Sequence, residues 1–206
     1  MPRKSALMQL KENDRKIRQQ LIIDAARDLF GQKTYDTVSM AEIAQAAGMA
    51  KSSIYTYFKS QEALYSTIAC QDTLVFIKGL ESRVRHSRED PVQPAIDYFL
   101  SYYIANESQW KMITHLALHG TAEMKTNESL NQAGRQLMTV FEQIFQKLGS
   151  TSNSRLMAHT LFACLSGILI AFRKYPGRTE ADRLVHMNRI GSILAEMIHA
   201  FFRMNQ

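Results

Sequence analysis

Between Ser39 and Lys59 the chain reads SMAEIAQAAGMAKSSIYTYFK. No other stretch constrains the fold so tightly, because this one specifies two short helices meeting at a glycine turn. Ser39 is placed to cap the first helix, and Glu42, three residues on, to reach back to the cap's own amide, the reciprocal arrangement of a capping box. Met40, Ile43, Ala44 and Ala47 then recur at i, i+3, i+4 and i+7 as one apolar stripe, and Gly48 supplies the left-handed residue that ends the helix. A second helix is predicted from Lys51 to about Phe58, with Ile54 and Phe58 turned inward. Lys51, Ser52, Tyr55, Thr56 and Lys59 face outward.

That outward face carries two cations, three hydroxyl groups and almost no aliphatic surface, and no acidic residue occurs from Gln45 through Gln61. Such a face suits phosphates and base edges. An ordinary helical corner facing water has the same spacing, so the pattern must be read beyond it.

The run IAQAAGMAKSSIYTYFKSQEAL resembles the signature of the tetracycline-repressor (TetR) family: a helix ending in Ala-Gly, then a recognition helix with Ile-Tyr-x-Tyr-Phe, then Lys and a new helix. Upstream, Ile23 to Phe30 and then Tyr35, Thr37 and Val38 look like the family's first helix and its link to the second. The resemblance covers roughly Arg18 to Tyr65 and departs at Ala50, where many relatives carry a capping residue; loss of a cap costs ~1 kcal/mol of local helix stability. It implies that Ser39, Tyr55, Tyr57 and Lys59 hold the phosphate backbone of DNA. It also implies that Ala41, Lys51, Ser52, Ser53 and Thr56 stand at or near base edges.

Charge distribution agrees with an anionic partner. The net charge of the 206 residues is +6, and residues 1–60 hold ten Lys/Arg against six Asp/Glu, whereas residues 61–206 hold fifteen against thirteen. Basicity is concentrated where the motif lies. With 46% apolar and 21% charged residues, the chain has ordinary globular usage and enough length for a small plus a medium unit, or one elongated helical domain. Two isolated thiols, Cys70 and Cys164, form no CxxC pair and are read as structural in a reducing compartment. The basic start lacks a following apolar run, so no signal peptide is expected. The longest apolar run, Leu161 to Phe172, is twelve residues, too short to span a bilayer. A cytoplasmic protein is expected.

Helical periodicity extends along the whole chain and no segment alternates as a strand, so the fold class is all-α with about nine helices. Residues 1–60 are assigned to an N-terminal arm and a three-helix DNA-binding head, and 61–206 to a helical effector-binding and dimerisation body. Met1 to Asp14 reads as a flexible arm whose Arg3, Lys4 and Lys11 could touch phosphate or a minor groove. From Arg15 a helix is predicted with Ile17, Leu21, Ala25 and Leu29 on one line, beside Ile22, Ala26 and Phe30. A helix from Ser60 to about Arg83 carries Leu64, Ile68, Leu74, Phe76, Ile77 and Leu80. Further helices are predicted over 92–106, 109–119, 129–148, 154–174 and 180–204.

The helices of the body hold more aromatic and Met side chains than a scaffold needs. Phe99, Tyr102, Tyr103, Trp110, Met138, Phe141, Phe145 and Phe162, with His115 as a polar contact, are candidates to line an effector pocket, although aromatic residues at helical spacing also fill cores. His115 and His119 stand four apart, a spacing that can place two imidazoles on one metal. No HExxH accompanies them, and no third ligand is offered beyond His159, far along the chain, so neither metal nor cofactor is expected. No GxSxG, phosphate-cradling glycine loop or paired catalytic carboxylates point to an enzyme.

These observations favour a ligand-responsive transcriptional regulator, a repressor that binds an inverted-repeat operator as a homodimer and is released by a small apolar or aromatic effector. A DNA-binding architectural protein without effector control is the alternative, and a small helical enzyme is a third class. Dimerisation is expected through the last two helices. Ala163, Gly167 and Ala171 recur every fourth residue in one, flanked by Leu161, Leu165 and Ile168, and Leu184, Met187, Ile190, Gly191, Leu194, Met197, Ile198 and Phe201 line the other. A four-helix interface of that kind is what the family resemblance implies.

Overall fold

A computed structural model describes residues 2–87, 89–125, 127–150 and 153–204, with side chains of 2–7, 123 and 125 outside the description. Among these residues the fold is all-α, without a strand. The order is α1 (Pro2–Gln32), a 3-10 turn at Tyr35–Thr37, α2 (Met40–Ala46), α3 (Lys51–Ile54), α4 (Gln61–His86), α5 (Val92–Ala105), α6 (Glu107–His119), α7 (Ala122–Lys125), α8 (Glu128–Lys147), α9 (Ser154–Phe172) and α10 (Glu180–Met204). The nine expected helices are present, and the single turn α7 is additional.

The chain gathers into two compact units. The first is the chain through Cys70 together with Ser108–Leu130; the second is Gln71–Glu107 with the chain from Asn131 onward. Each of the three crossings between units falls inside a helix: α4, α6 and α8 respectively.

In the first unit α1 corrects two expectations. The segment read as a flexible arm is helical from Pro2, because its Ala, Leu, Met, Gln, Lys and Glu residues are strong helix formers and Glu12–Lys16 and Asp14–Arg18 pair at i, i+4. The side chains of Arg3 and Lys4 lie outside the described residues. The line through Ile17 and Leu21 faces solvent, at 53% and 52% exposure, while Ile22, Ile23, Ala26 and Phe30 are buried. Three consecutive apolar residues, Leu21 to Ile23, left two helical phases open, and packing against α2 selects the second.

The core of this unit joins those α1 residues to Ile43 and Ala44 of α2, Ile54 and Phe58, and Leu64, Tyr65 and Ile68 of α4. Met112 of α6 and Met124 of α7 complete it. Rings interlock at its edge: Tyr65 meets Phe30 and Tyr35 edge-on, each at 4.8 Å between centroids. Ser60 caps α4, its hydroxyl accepting from the Ala63 amide at 3.0 Å.

The second unit is built on α5, which packs against α10 and α9. Asp90 accepts from the Val92 amide at 2.9 Å and so caps the α5 N-terminus. At the other end the Arg173 guanidinium donates to the carbonyls of Tyr103 and Ile104, oxygens that the helix itself leaves unpaired. Gly191 of α10 is the close-approach point: a Cβ there would lie 2.6 Å from Ile96 Cγ2. Gly191 therefore faces α5, and Met187, one turn before it, is buried, which corrects their assignment to an outer seam. Leu74 is likewise exposed, because it falls between the turns that bury Ile68, Asp72, Phe76 and Leu80.

Helix α9, Ser154–Phe172, is by length and composition apolar enough to cross a membrane, which corrects the expectation that its apolar run is too short. Its Leu161, Leu165, Ile168 and Leu169 are buried in the second unit, which corrects the placing of the first three beside an outer seam.

Candidate nucleic-acid interface

The helix pair forms as its local chemistry dictates. Ser39, extended at φ −116° and ψ 154°, accepts from the Glu42 amide at 3.2 Å, and Gly48 takes φ +67°, the left-handed conformation that turns the chain out of α2. The Glu42 carboxylate pairs with Lys33 at the end of α1, fastening the two helices. That hydrogen bond holds its pKa below the usual carboxylate value, with the Lys33 charge and the Ser39 amide acting the same way.

α3 is shorter than predicted. Its α-helical span ends at Ile54, after which the Thr56 and Tyr57 amides bond back three residues, to Ser53 and Ile54, at 3.1 and 3.0 Å. The Thr56 hydroxyl donates to the Ser53 carbonyl at 2.7 Å and competes with the i→i−4 ladder. Ala50 occupies the N-cap position and offers no side-chain acceptor.

Ile54 and Phe58 are buried, as expected, and each such burial stabilises the head by about 1.5–3 kcal/mol. They fix the orientation of what lies between them. Ser39, Lys51, Ser52, Tyr55, Thr56 and Lys59 are exposed, whereas Ala41, Ser53 and Tyr57 are half-buried. Tyr57 also packs against the head core, so its ring is held while its edge remains accessible. Lysine ammonium groups, hydroxyl donors and a stretch without acidic residues from Gln45 through Gln61 give this surface the chemistry of a phosphate and base-edge reader.

The candidate effector residues are divided between the units. Phe99, Tyr102, Tyr103, Met138, Phe141, Phe145 and Phe162 belong to the second unit, and Trp110 and His115 to the first. Phe99 meets Tyr103 at 5.0 Å, Phe162 at 6.1 Å and Phe141 at 6.2 Å, and Tyr102 meets Tyr103 at 5.3 Å. Phe145 stacks on Phe202 instead, at 6.3 Å, and Met138 is half-buried on α8. A cavity of about 270 Å³ in this unit is lined by charged groups, among them Glu107, Arg173, Lys174 and Arg183, not by these rings.

Sequence reasoning placed α6 wholly with the body and missed its part in the head. His115 lies against Tyr35 at 4.9 Å and Tyr65 at 5.7 Å, with His119 at 5.4 Å, while the Tyr65 hydroxyl donates to the Met112 carbonyl at 3.4 Å. Burial lowers the His115 pKa, His119 lowers it further, and Asp36 opposes both. Among the described residues no three His, Cys, Asp or Glu side chains gather as a metal site. The signal for this contact was the Met112–Leu116 pair at i, i+4, whose destination only the tertiary structure reveals.

Comparison with known proteins gives a consistent result. Residues 22–68 match the model of the bacterial regulatory proteins, tetR family. An uncharacterized HTH-type transcriptional regulator of Mycobacterium tuberculosis is 36% identical over 74 residues, 36% of this chain and 35% of the relative. The match thus spans about a third of that relative. Among solved structures, the transcriptional regulator FadR from Bacillus subtilis, in complex with stearoyl-CoA, superposes with a TM-score of 0.70 at 18% identity, covering 85% of this chain and 97% of that one. AibR, in complex with isovaleryl coenzyme A and operator DNA, gives 0.63 at 20% identity, covering 84% and 97%.

Proposed function

We propose, from the premise that the chain belongs to the tetR family of bacterial regulatory proteins, that it is a cytoplasmic, ligand-responsive repressor. It binds an inverted-repeat operator as a homodimer. The observation that carries the reading is the exposed, acid-free surface from Lys51 to Lys59, anchored by Ile54 and Phe58. In this reading Lys51, Ser52, Ser53, Thr56 and Ala41 stand at base edges, and Ser39, Tyr55, Tyr57 and Lys59 at phosphates.

One recognition helix reads only a few base pairs, so pairing of two heads supplies the remaining specificity. The outer faces of α9 and α10 support such pairing. Leu156, Ala163, Gly167, Ile170 and Ala171 are exposed on α9, and Val185, Ile193, Met197 and Phe201 on α10. No neighbouring atom stands within 4 Å of a Cβ built on Gly167, which leaves that small-residue line open to a second helix. An apolar patch of this kind on a soluble surface marks an interaction site.

The aromatic side chains of the second unit supply the effector reading, with an apolar or aromatic ligand displacing part of their mutual packing. Two solved structures of the same fold hold acyl-coenzyme A thioesters, so stearoyl- and isovaleryl-CoA belong in the first ligand panel beside neutral aromatic compounds. An effector acts only through unequal affinity for the DNA-competent and DNA-incompetent arrangements. The test is selection from genomic fragments with purified protein, followed by titration of the enriched DNA with each ligand. Enrichment of one inverted repeat, released by a ligand, supports the proposal. A sequence-independent footprint supports the architectural alternative instead.

A further inference from the structure

α1 continues for about five turns beyond the head core it serves. From Met8 to Arg18 every side chain is exposed, so this stretch buries nothing that offsets the ordering of its residues. Its charges are not evenly spread. Lys11, Arg15 and Arg18 stand at i, i+4 and i+7, and the next position on that line, i+11, is Ile22, fully buried in the head core. The three cations therefore stand in phase with the side of α1 that enters the head core. Leu10, Ile17 and Leu21 lie on a different side, and the acids Glu12 and Asp14 flank the cationic line. Arg18 is paired with Asp14 at 3.0 Å; Lys11 and Arg15 take part in no ion pair among the described residues.

We propose that this face is a second DNA-contacting surface, in which Lys11 and Arg15, joined by Arg18, hold phosphates of the duplex beyond the bases reached by α3. The inference rests on the DNA-binding reading of the head and extends it to a part of α1 outside the helix pair. Long cationic side chains without acceptor groups suit phosphate oxygens and carry no base preference. A helix fixes their spacing, so they meet the backbone as a ridge and not as a loose tail.

The test measures binding by fluorescence anisotropy across a salt series, on the selected operator and on a duplex of random sequence. Wild type is compared with Lys11→Ala/Arg15→Ala, and with Lys16→Ala, which removes a cation from a different side of the same helix. The double variant should lower the slope of log affinity against log salt by about 0.9 for each phosphate released in each subunit. That loss should be equal on both duplexes, with protection of the flanking backbone lost in a hydroxyl-radical footprint. Lys16→Ala should leave slope and footprint at wild-type values. The proposal is overturned if the double variant keeps the wild-type slope on the random duplex, or if Lys16→Ala lowers it equally. Because the α1 face acts on any duplex, the random-sequence arm decides the matter even where no operator preference is found. Matching far-ultraviolet circular dichroism and melting curves confirm that the variants are folded.

Discussion

The hydroxyl of Tyr98 occupies the space that any side chain at position 79 would require: a Cβ built on Gly79 would lie 1.9 Å from that oxygen and 2.4 Å from the ring carbon bearing it. The ring stacks on Phe76 at 5.3 Å and lies under the Arg83 guanidinium at 4.3 Å. Gly79→Ala should displace Tyr98 and break both contacts, at a cost of about 1–3 kcal/mol. Urea unfolding checks this. With Tyr98→Ala as background, adding Gly79→Ala should cost far less, since the obstacle is gone; equal costs in both backgrounds would place the strain elsewhere.

Lys51 and Lys59 should separate in their effects on DNA. Lys51→Ala removes a cation able to reach guanine O6 or N7, worth ~1–3 kcal/mol of discrimination, and should flatten preference among operator variants. Lys59→Ala should weaken all sequences alike and reduce the salt dependence. Anisotropy titrations on a panel of single-base operator variants distinguish the two. Uniform loss for both substitutions contradicts the assignment.

Ala50 sits at an extended N-cap, φ −69° and ψ 143°, with no side-chain hydrogen bond. Ala50→Ser supplies the missing acceptor without altering the backbone and should stabilise the start of α3 by ~1 kcal/mol. Amide hydrogen exchange at Ser52 and Ser53 should slow accordingly. Unchanged protection there would show that the turn is already fully held by Ile54 and Phe58.

Acid should loosen the first unit through His115. Burial and His119 lower its folded pKa from 6.5, so the folded state binds fewer protons than the unfolded chain in the interval below 6.5. The associated stability is fully present above that value. It falls as pH drops through the interval toward the folded pKa. In melting curves between pH 7 and pH 5, His115→Gln should remove this part of the acid sensitivity, whereas a slope identical to wild type would assign it to other groups.

Gly167→Leu tests the proposed subunit contact. Because Gly167 faces open space within its own subunit, a larger side chain should leave the monomer fold and helical content intact while overpacking a partner helix by ~1–3 kcal/mol. Sedimentation should shift toward monomer, with operator affinity lost. A variant that stays dimeric and binds DNA moves the interface away from α9.

The parts of the fold that were legible in the sequence are those decided by neighbours along the chain. Ser39, Glu42 and Gly48 specify their caps and turn within ten residues, and Ile54 and Phe58 declare an inward face that the structure keeps. Phase and destination were harder. Leu21, Ile22 and Ile23 are equally apolar, and only contact with α2 decides that the latter two are buried. The helical start of α1 was hidden because its support comes from charge pairs, which leave no hydrophobic period. Met112 and Leu116 announced an apolar stripe on α6, but nothing local says that it joins Phe58 and Tyr65.

The three crossings between units, each inside a helix, bear on how such a protein can be recombined. A gene fusion that exchanges the DNA-reading part at residue 60 or 70 would sever the head from Ser108–Leu130, and with it Met112 and Met124. The transplanted segment would arrive with its core unfilled. A working chimera must carry two separate stretches of sequence and splice them in helical register at three points, so the first unit is not a portable cassette in this chain.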